Sequence, residues 1–203
     1  MATLDWPVNI LRPASMDWTL KDNGSIFQSK FNGSTQTVTY PGSMWKCELV
    51  FQDLDDYQSR YLETLIFQMG RSGTIRIPDF GRYGRPPVSN GPNGKPKTVG
   101  PTQEGFKLHS GWWLPHRVVL HRGDYISVQD ELKMVLDDVR SDASGEAIIP
   151  IAPMLRKTPP EGAEIEVANP RGVFRLDKDE NGVGRKPAFA NDFNLSFVES
   201  FYT

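Results

Sequence analysis

Between Met44 and Phe51 apolar and polar residues alternate. Trp45, Cys47, Leu49 and Phe51 fall on one side of an extended chain, Lys46 and Glu48 on the other. A period of two predicts a half-buried antiparallel strand. The period then changes. Leu54, Tyr57, Tyr61, Leu62, Leu65, Ile66 and Met69 recur at helical spacing, predicting a helix from Asp53 to about Met69 with this stripe against a sheet. Asp53 is the expected N-cap, Asp55 and Asp56 suit the positive end of the dipole, and Gly70 is placed to end the helix in a left-handed conformation.

Elsewhere the apolar runs are short and bounded by turn residues. Thr35 to Tyr40 and Thr74 to Ile77 read as strands, the latter with Ile75 and Ile77 inward. A second β region holds Arg117 to Leu120, Tyr125 to Val128, Leu132 to Val139 and Ala147 to Ile151. In it Leu132, Met134 and Leu136 share one face, with Val135 and Val139 on the other. Ile165 to Val167, Val173 to Leu176 and Asn194 to Phe201 complete the strands. Asn23-Gly24, Asn32-Gly33-Ser34 and Pro41-Gly42 are turn signals, Asp142 to Gly145 is a hairpin turn, and Asp177 to Lys186 is a polar, Gly-rich turn. Several short antiparallel strands after Phe106 suit a small barrel or sandwich.

Composition agrees with this pattern. The 18 Gly and 16 Pro favour a turn-rich β protein over a helical bundle, and 203 residues suffice for one large or two small domains. Residues 81–105 concentrate these breakers, and their basic residues outnumber Glu104. A loop this long in a compact domain is commonly functional or a surface excursion. A net charge of −2 argues against general nucleic-acid binding. The one cysteine, Cys47, precludes an intramolecular disulfide, fits a reducing compartment and reads as a small buried apolar residue. The N-terminal stretch lacks the charge and apolar pattern of a signal peptide, and no apolar run is long enough to span a bilayer.

Candidate chemistry is sparse. His109, His116 and His121 are spaced by seven and five, which suits neither a helical pair nor a zinc knuckle. Asp137 and Asp138 are adjacent on an expected strand and point apart, unlike carboxyls facing across a cleft. No G-x-S-x-G elbow occurs, and the GRSG at Gly70 to Gly73 lacks the GK[ST] of a P-loop. Arg122-Gly123-Asp124 is an RGD expected by chance in a turn. Of Trp112 and Trp113, neighbours on a strand, at most one is core, and the other marks a surface for a partner or a sugar ring. No catalytic residue, metal or cofactor is expected.

The segments GDYISVQDELKMVLDDV and SDASGEAIIPIAPMLRKTPPEG, between Gly123 and Gly162, resemble a recurrent phage tail-tip segment: a Gly-Asp turn, an m-V-x-x-D-V strand and an I-x-P-x-L-R strand. With the Trp45 to Phe51 strand, the helix after it, IRIPDFGR at Ile75 to Arg82, VFRL and the closing FNLSFVESF, the order of elements resembles the distal tail proteins of long-tailed bacteriophages. The resemblance implies a mostly β (α+β) fold. A ring-forming β domain with one helix would comprise residues 1–82 and 163–203, and a small OB-like barrel, 83–162, would be inserted with its long loop 81–105. It implies a non-enzymatic virion protein assembled in the host cytoplasm, a hexameric ring joining the tail tube protein to the tail-tip hub protein, with no membrane or specific nucleic-acid partner. Trp6, Trp18, Trp45, Phe197, Phe201, Arg82, Arg85, Lys95 and Lys97 are then the expected contact residues. The alternative is a carbohydrate-binding module contacting the host surface through Trp112 or Trp113. A cell-wall hydrolase has no visible residue set.

Overall fold

The computed structural model describes residues 3–40, 42–70, 72–81, 95–101, 103, 105–177 and 191–201. Over these the chain is mostly β. The first part holds β1 (Leu4–Asp5), β2 (Ser15–Lys21), β3 (Gly24–Gln28), β4 (Thr35–Thr39), β5 (Met44–Leu54), α1 (Asp56–Met69) and β6 (Ile75–Pro78). The middle holds β7 (Lys97–Thr98), β8 (Lys107–Gly111), β9 (Val118–Leu120), β10 (Tyr125–Val128), β11 (Glu131–Val135), β12 (Val139–Arg140), β13 (Ala147–Ala152) and β14 (Ile165–Glu166). The chain returns through β15 (Arg171–Leu176) and β16 (Asn191–Glu199).

Strands from both ends of the chain share one six-stranded sheet, ordered β1-β6-β15-β16-β5-β2. The β1–β6 pair is parallel and the others antiparallel. The alternation in β5 sets its faces. Trp45, Cys47, Leu49 and Phe51 are buried together with Phe193, Leu195 and Phe197 of β16 and with Phe174 and Leu176 of β15. The opposite face carries Lys46, Glu48 and Ser196, as in an antiparallel sheet covered on one side. Trp6 completes the core, its ring stacked on Phe51 at 5.9 Å and edge-on to Phe197 at 6.1 Å. Each large side chain buried this way stabilises the fold by about 1.5–3 kcal/mol.

The helix packs Leu62, Leu65, Ile66 and Met69 into that core. It starts later than the spacing predicts. Asp53 still belongs to β5, at φ 54°. Asp55 is the N-cap, because Gln58 three residues on completes a capping box. Asp55 Oδ1 accepts from the Gln58 N–H at 2.7 Å, and Gln58 Oε1 accepts from the Asp55 N–H at 3.2 Å. Asp53 has Asp56 at the corresponding place, and that carboxylate is engaged by Arg60 instead. The packed stripe is also narrower than expected. Leu54 is buried from the strand, while Tyr57 and Tyr61 are exposed. Tyr57 lies five residues from Leu62, about 140° round a helix of 3.6 residues per turn. Gly70 ends α1 at φ 52°, ψ −149°, so its φ is positive as expected but its ψ is not that of the left-handed helix. That region is essentially restricted to glycine.

The second sheet runs β14-β10-β11-β13-β8-β7. Its outermost strands come back together through a Lys97–Glu164 bridge, with the Thr98 N–H on the Ala163 carbonyl at 2.9 Å and the Ile165 N–H on that of Pro96 at 2.8 Å. The sheet is thus a nearly closed barrel. Leu108, Trp113, Ile126, Val128, Val135, Ile149, Ile151 and Ile165 fill it, and Val119, Leu120 and Val139 of the small β9–β12 pair join this core. The β10–β11 hairpin serves both cores. Ile126, Val128 and Val135 face the barrel interior, while Tyr125, Leu132 and Met134 pack into the core of the open sheet.

One expectation for this region needs correction. β11 stops at Val135, so Leu136 leaves the face of Leu132 and Met134 and is exposed. Asp142 to Gly145 is the expected hairpin turn, with Asp142 Oδ1 accepting from the N–H groups of Ser144 and Glu146, and it returns the chain so that β13 pairs antiparallel with β11. β12 pairs with β9, and β13 with β8 and β11. Gly145 is required twice over: its φ is 75°, and a Cβ there would lie 2.4 Å from the Trp113 carbonyl oxygen. The expected turn from Asp177 to Lys186 falls beyond the described residues except for Asp177, as does most of the 81–105 loop.

Candidate interaction surfaces

A buried charge network joins the barrel to the open sheet. Lys133, fully buried, donates from Nζ to Glu131 Oε2 at 2.7 Å and to the Met154 carbonyl at 2.9 Å. Arg156 holds Glu199 with two parallel bonds of 2.8 and 2.7 Å. Glu199 Oε2 also accepts the Trp45 N–H at 3.1 Å, and Glu131 accepts the N–H groups of Arg156 and Lys157. Burial pushes the Lys133 amine below its usual range, and Glu131 partly offsets that. Around the network the Trp45 indole donates to the Leu132 carbonyl at 3.0 Å, and Arg76 grips Asp130 at 3.0 and 3.1 Å. Two cations and two carboxylates, each paired, make this a structural joint. A cleft of about 480 Å³ lies beside it, lined by Lys21, Asp22, Met44, Arg156, Lys157 and Phe201 among others.

The expected contact residues scatter. Trp6, Trp45 and Phe197 are buried in the sheet core, which removes them as surface contacts: their strand or loop positions face the helix and barrel. Trp18 is half-buried among Trp45, Tyr125 and Phe174, and its indole N–H is buried with no hydrogen-bond partner among the described residues. Phe201 lies 4.3 Å from the Arg156 guanidinium. Lys95 is paired with Glu166 at 2.7 Å, and Lys97 sits over the Trp112 ring at 5.6 Å. Arg82 and Arg85 lie outside the described residues.

Trp113 is buried in the barrel, donating from Nε1 to Ser110 Oγ at 2.9 Å, while Trp112 is 41% exposed. The two part company because Trp112 follows the end of β8 at φ 69°, not because they alternate along a strand. The Arg122 to Asp124 turn is tied down locally. Arg122 bonds Asp137 at 2.7 Å and lowers its carboxyl, and the Arg122 N–H does the same for Asp138. Among the described residues no group of three or more His, Cys, Asp or Glu is placed to hold a metal ion.

The surface that sequence reasoning missed is the β3–β4 hairpin. Among the described residues its strands pair only with each other, from Gly24↔Thr39 to Gln28↔Thr35. Ile26 is 73% exposed, Phe27 59%, and Phe31 is fully exposed. The turn is closed by the Ser29 N–H on the Ser34 carbonyl and by the Ser34 N–H on Asn32 Oδ1. The Asn32-Gly33 turn signal was visible, but the apolar residues before it form no stripe that distinguishes a free arm from a core strand. A second exposed apolar surface is the outer side of α1, with Tyr57, Tyr61 and Phe67. A groove of about 400 Å³ there is lined by Tyr57, Arg60, Tyr61, Thr64, Leu65 and Gln68.

No protein-family model matches the chain, and no curated protein matches it either.

Proposed function

We propose that the chain is a non-enzymatic structural subunit of a bacteriophage tail tip, one of six copies in a ring joining the tail tube to the tail-tip hub. The observation that carries this reading is the topology. Strands from both ends of the chain build one open sheet, a nearly closed barrel is inserted between them, and an exposed hairpin follows the edge strand β2. The likeness of the Gly123–Gly162 segments to distal tail proteins supplies the role. In this reading residues 1–82 and 163–203 form the ring and 83–162 the insert. A head-to-tail contact repeated by rotation closes into a ring. Electron microscopy of the purified protein tests it, with sixfold rings expected and co-sedimentation with tube or hub protein as the second readout. A strict monomer at high micromolar concentration that binds neither overturns it.

Trp112 supports a second reading, a carbohydrate-binding surface on the barrel. Its ring is exposed beside Lys97 and could stack on a sugar. Binding on a glycan array, lost in Trp112→Ala, is the expected result; flat signals remove this reading.

A further inference from the structure

The open edge of β2 carries a charge pattern that its own sheet leaves unmatched. Among the described residues β2 pairs with β5 alone, and no backbone group from Ser15 to Lys21 bonds elsewhere. Its outer edge therefore offers N–H and C=O groups to a further strand. Alternation puts Asp17, Thr19 and Lys21 together on the solvent face. There Asp17 lies opposite Glu48 of β5, and like charges directly opposite weaken a strand pair. Lys46, two residues from Glu48, is already held by Asp177 at 2.9 Å. Lys21 lies opposite Met44. Among the described residues neither Asp17 nor Lys21 makes an ion pair. Four residues apart on one strand, they are about 13 Å from each other, too far to pair within the chain.

A second β2, laid antiparallel with Thr19 opposite Thr19, supplies what each lacks. It sets Asp17 opposite Lys21 of the other copy, and symmetry repeats the match at the other end. On the opposite face it sets half-buried Trp18 against Leu20, which is 37% exposed. Opposite charges and aromatic–aliphatic neighbours are the cross-strand pairs that stabilise a sheet. Other registers lose the direct match. A slip of two residues sets Asp17 against Thr19 or Asn23. A slip of one turns the solvent face of one strand to the apolar face of the other.

We infer that β2 is a two-fold pairing edge: β2 of one copy adds antiparallel to β2 of a second, with Thr19 on the axis and Asp17 bonded to Lys21 of the other copy at both ends. The same patch serves both partners, so the contact is isologous and stops at two. A ring needs a head-to-tail contact, so this one is separate from the ring reading and goes beyond it. In a ring it joins two rings face to face.

The test is sedimentation velocity on the full chain, which is expected to pair. Asp17→Lys alone and Lys21→Asp alone each set like charges against each other twice, and each should weaken pairing by roughly tenfold or more. An equimolar mixture of the two variants should regain native strength, because opposite signs then meet at both ends. Both positions are exposed, and circular dichroism matching the native protein confirms that the variants fold. A variant that pairs as well as the native chain, or a mixture with no recovery, overturns the inference. So does a native chain that is monomeric at high micromolar concentration. Sixfold rings that never pair overturn it and leave the ring reading intact. Independently, Thr19→Cys should cross-link to itself through a short bis-maleimide, since Cys47 is fully buried and does not compete. Absence of that product also overturns the inference.

Discussion

The two six-stranded sheets handle their edges in opposite ways. The barrel brings β7 back beside β14 through Lys97 and Glu164, so little strand edge is left over. The other sheet stays open. Its edge at β1 is two residues long, but β2 offers seven, followed directly by the exposed hairpin. Open strand edges and apolar ribbons are liabilities in a monomer and assets in an assembly. The contrast is one of edges: the barrel closes on itself, while the sheet made from both ends leaves strand edge unpaired among the described residues.

Four substitutions probe that contrast. Trp45→Ala should have the largest effect, a loss of about 3–5 kcal/mol. Because its indole bonds the Leu132 carbonyl, chemical denaturation should lower the signals of sheet and barrel together. Separate transitions would mean that the two units are independent. Glu199→Ala leaves the Arg156 guanidinium without its two-bond partner in a mostly buried site, with an expected cost of about 3–4 kcal/mol in the same assay. Gly145→Ala is confined to the barrel. Strain at positive φ and collision with the Trp113 carbonyl should cost about 1–3 kcal/mol, read as a lower melting temperature.

Glu166→Gln should be smallest, at most about 1 kcal/mol. Burial pushes the Glu166 carboxyl up, but Lys95 and the N–H groups of Asn169 and Ala168 outweigh it, leaving the folded value below the usual 4.5. A depressed carboxyl adds stability that is complete above about pH 4.5 and is lost as pH falls through the lower folded value. The difference between the native protein and the Gln variant should therefore shrink on acidification from pH 6 to 3. A constant difference would show that Lys95 does not reach the carboxylate in solution.

How far the sequence could be read depended on range. β5 was legible because alternation is local, and the short apolar run Tyr125–Val128 was legible because a turn bounds it, its ends coinciding with the structure. β2 carried a similar signal, with Met16, Trp18 and Leu20 alternating with Asp17 and Thr19, yet went unread. β7 is two residues long and exists through its pairing with β8 and the barrel closure, which no local pattern reports. The aromatics show the same limit at the site. Trp45 and Phe197 were expected at a contact and lie in the core, while Phe27 and Phe31 were passed over and lie in water. All four occupy or adjoin strands. What separates them is whether another element covers them, and that is decided by residues far away in the chain.

The shared β10–β11 hairpin has a mechanical consequence. Tyr125 and Leu132 are walls of one core, and Ile126 and Val128 are walls of the other, so the two compartments have a partition in common. Excising the barrel would tear a side out of the sheet's interior, and tilting it would shear both interiors at once. The insert is therefore neither a removable cassette nor a swinging lever. A load applied to it passes into the sheet as into a single beam.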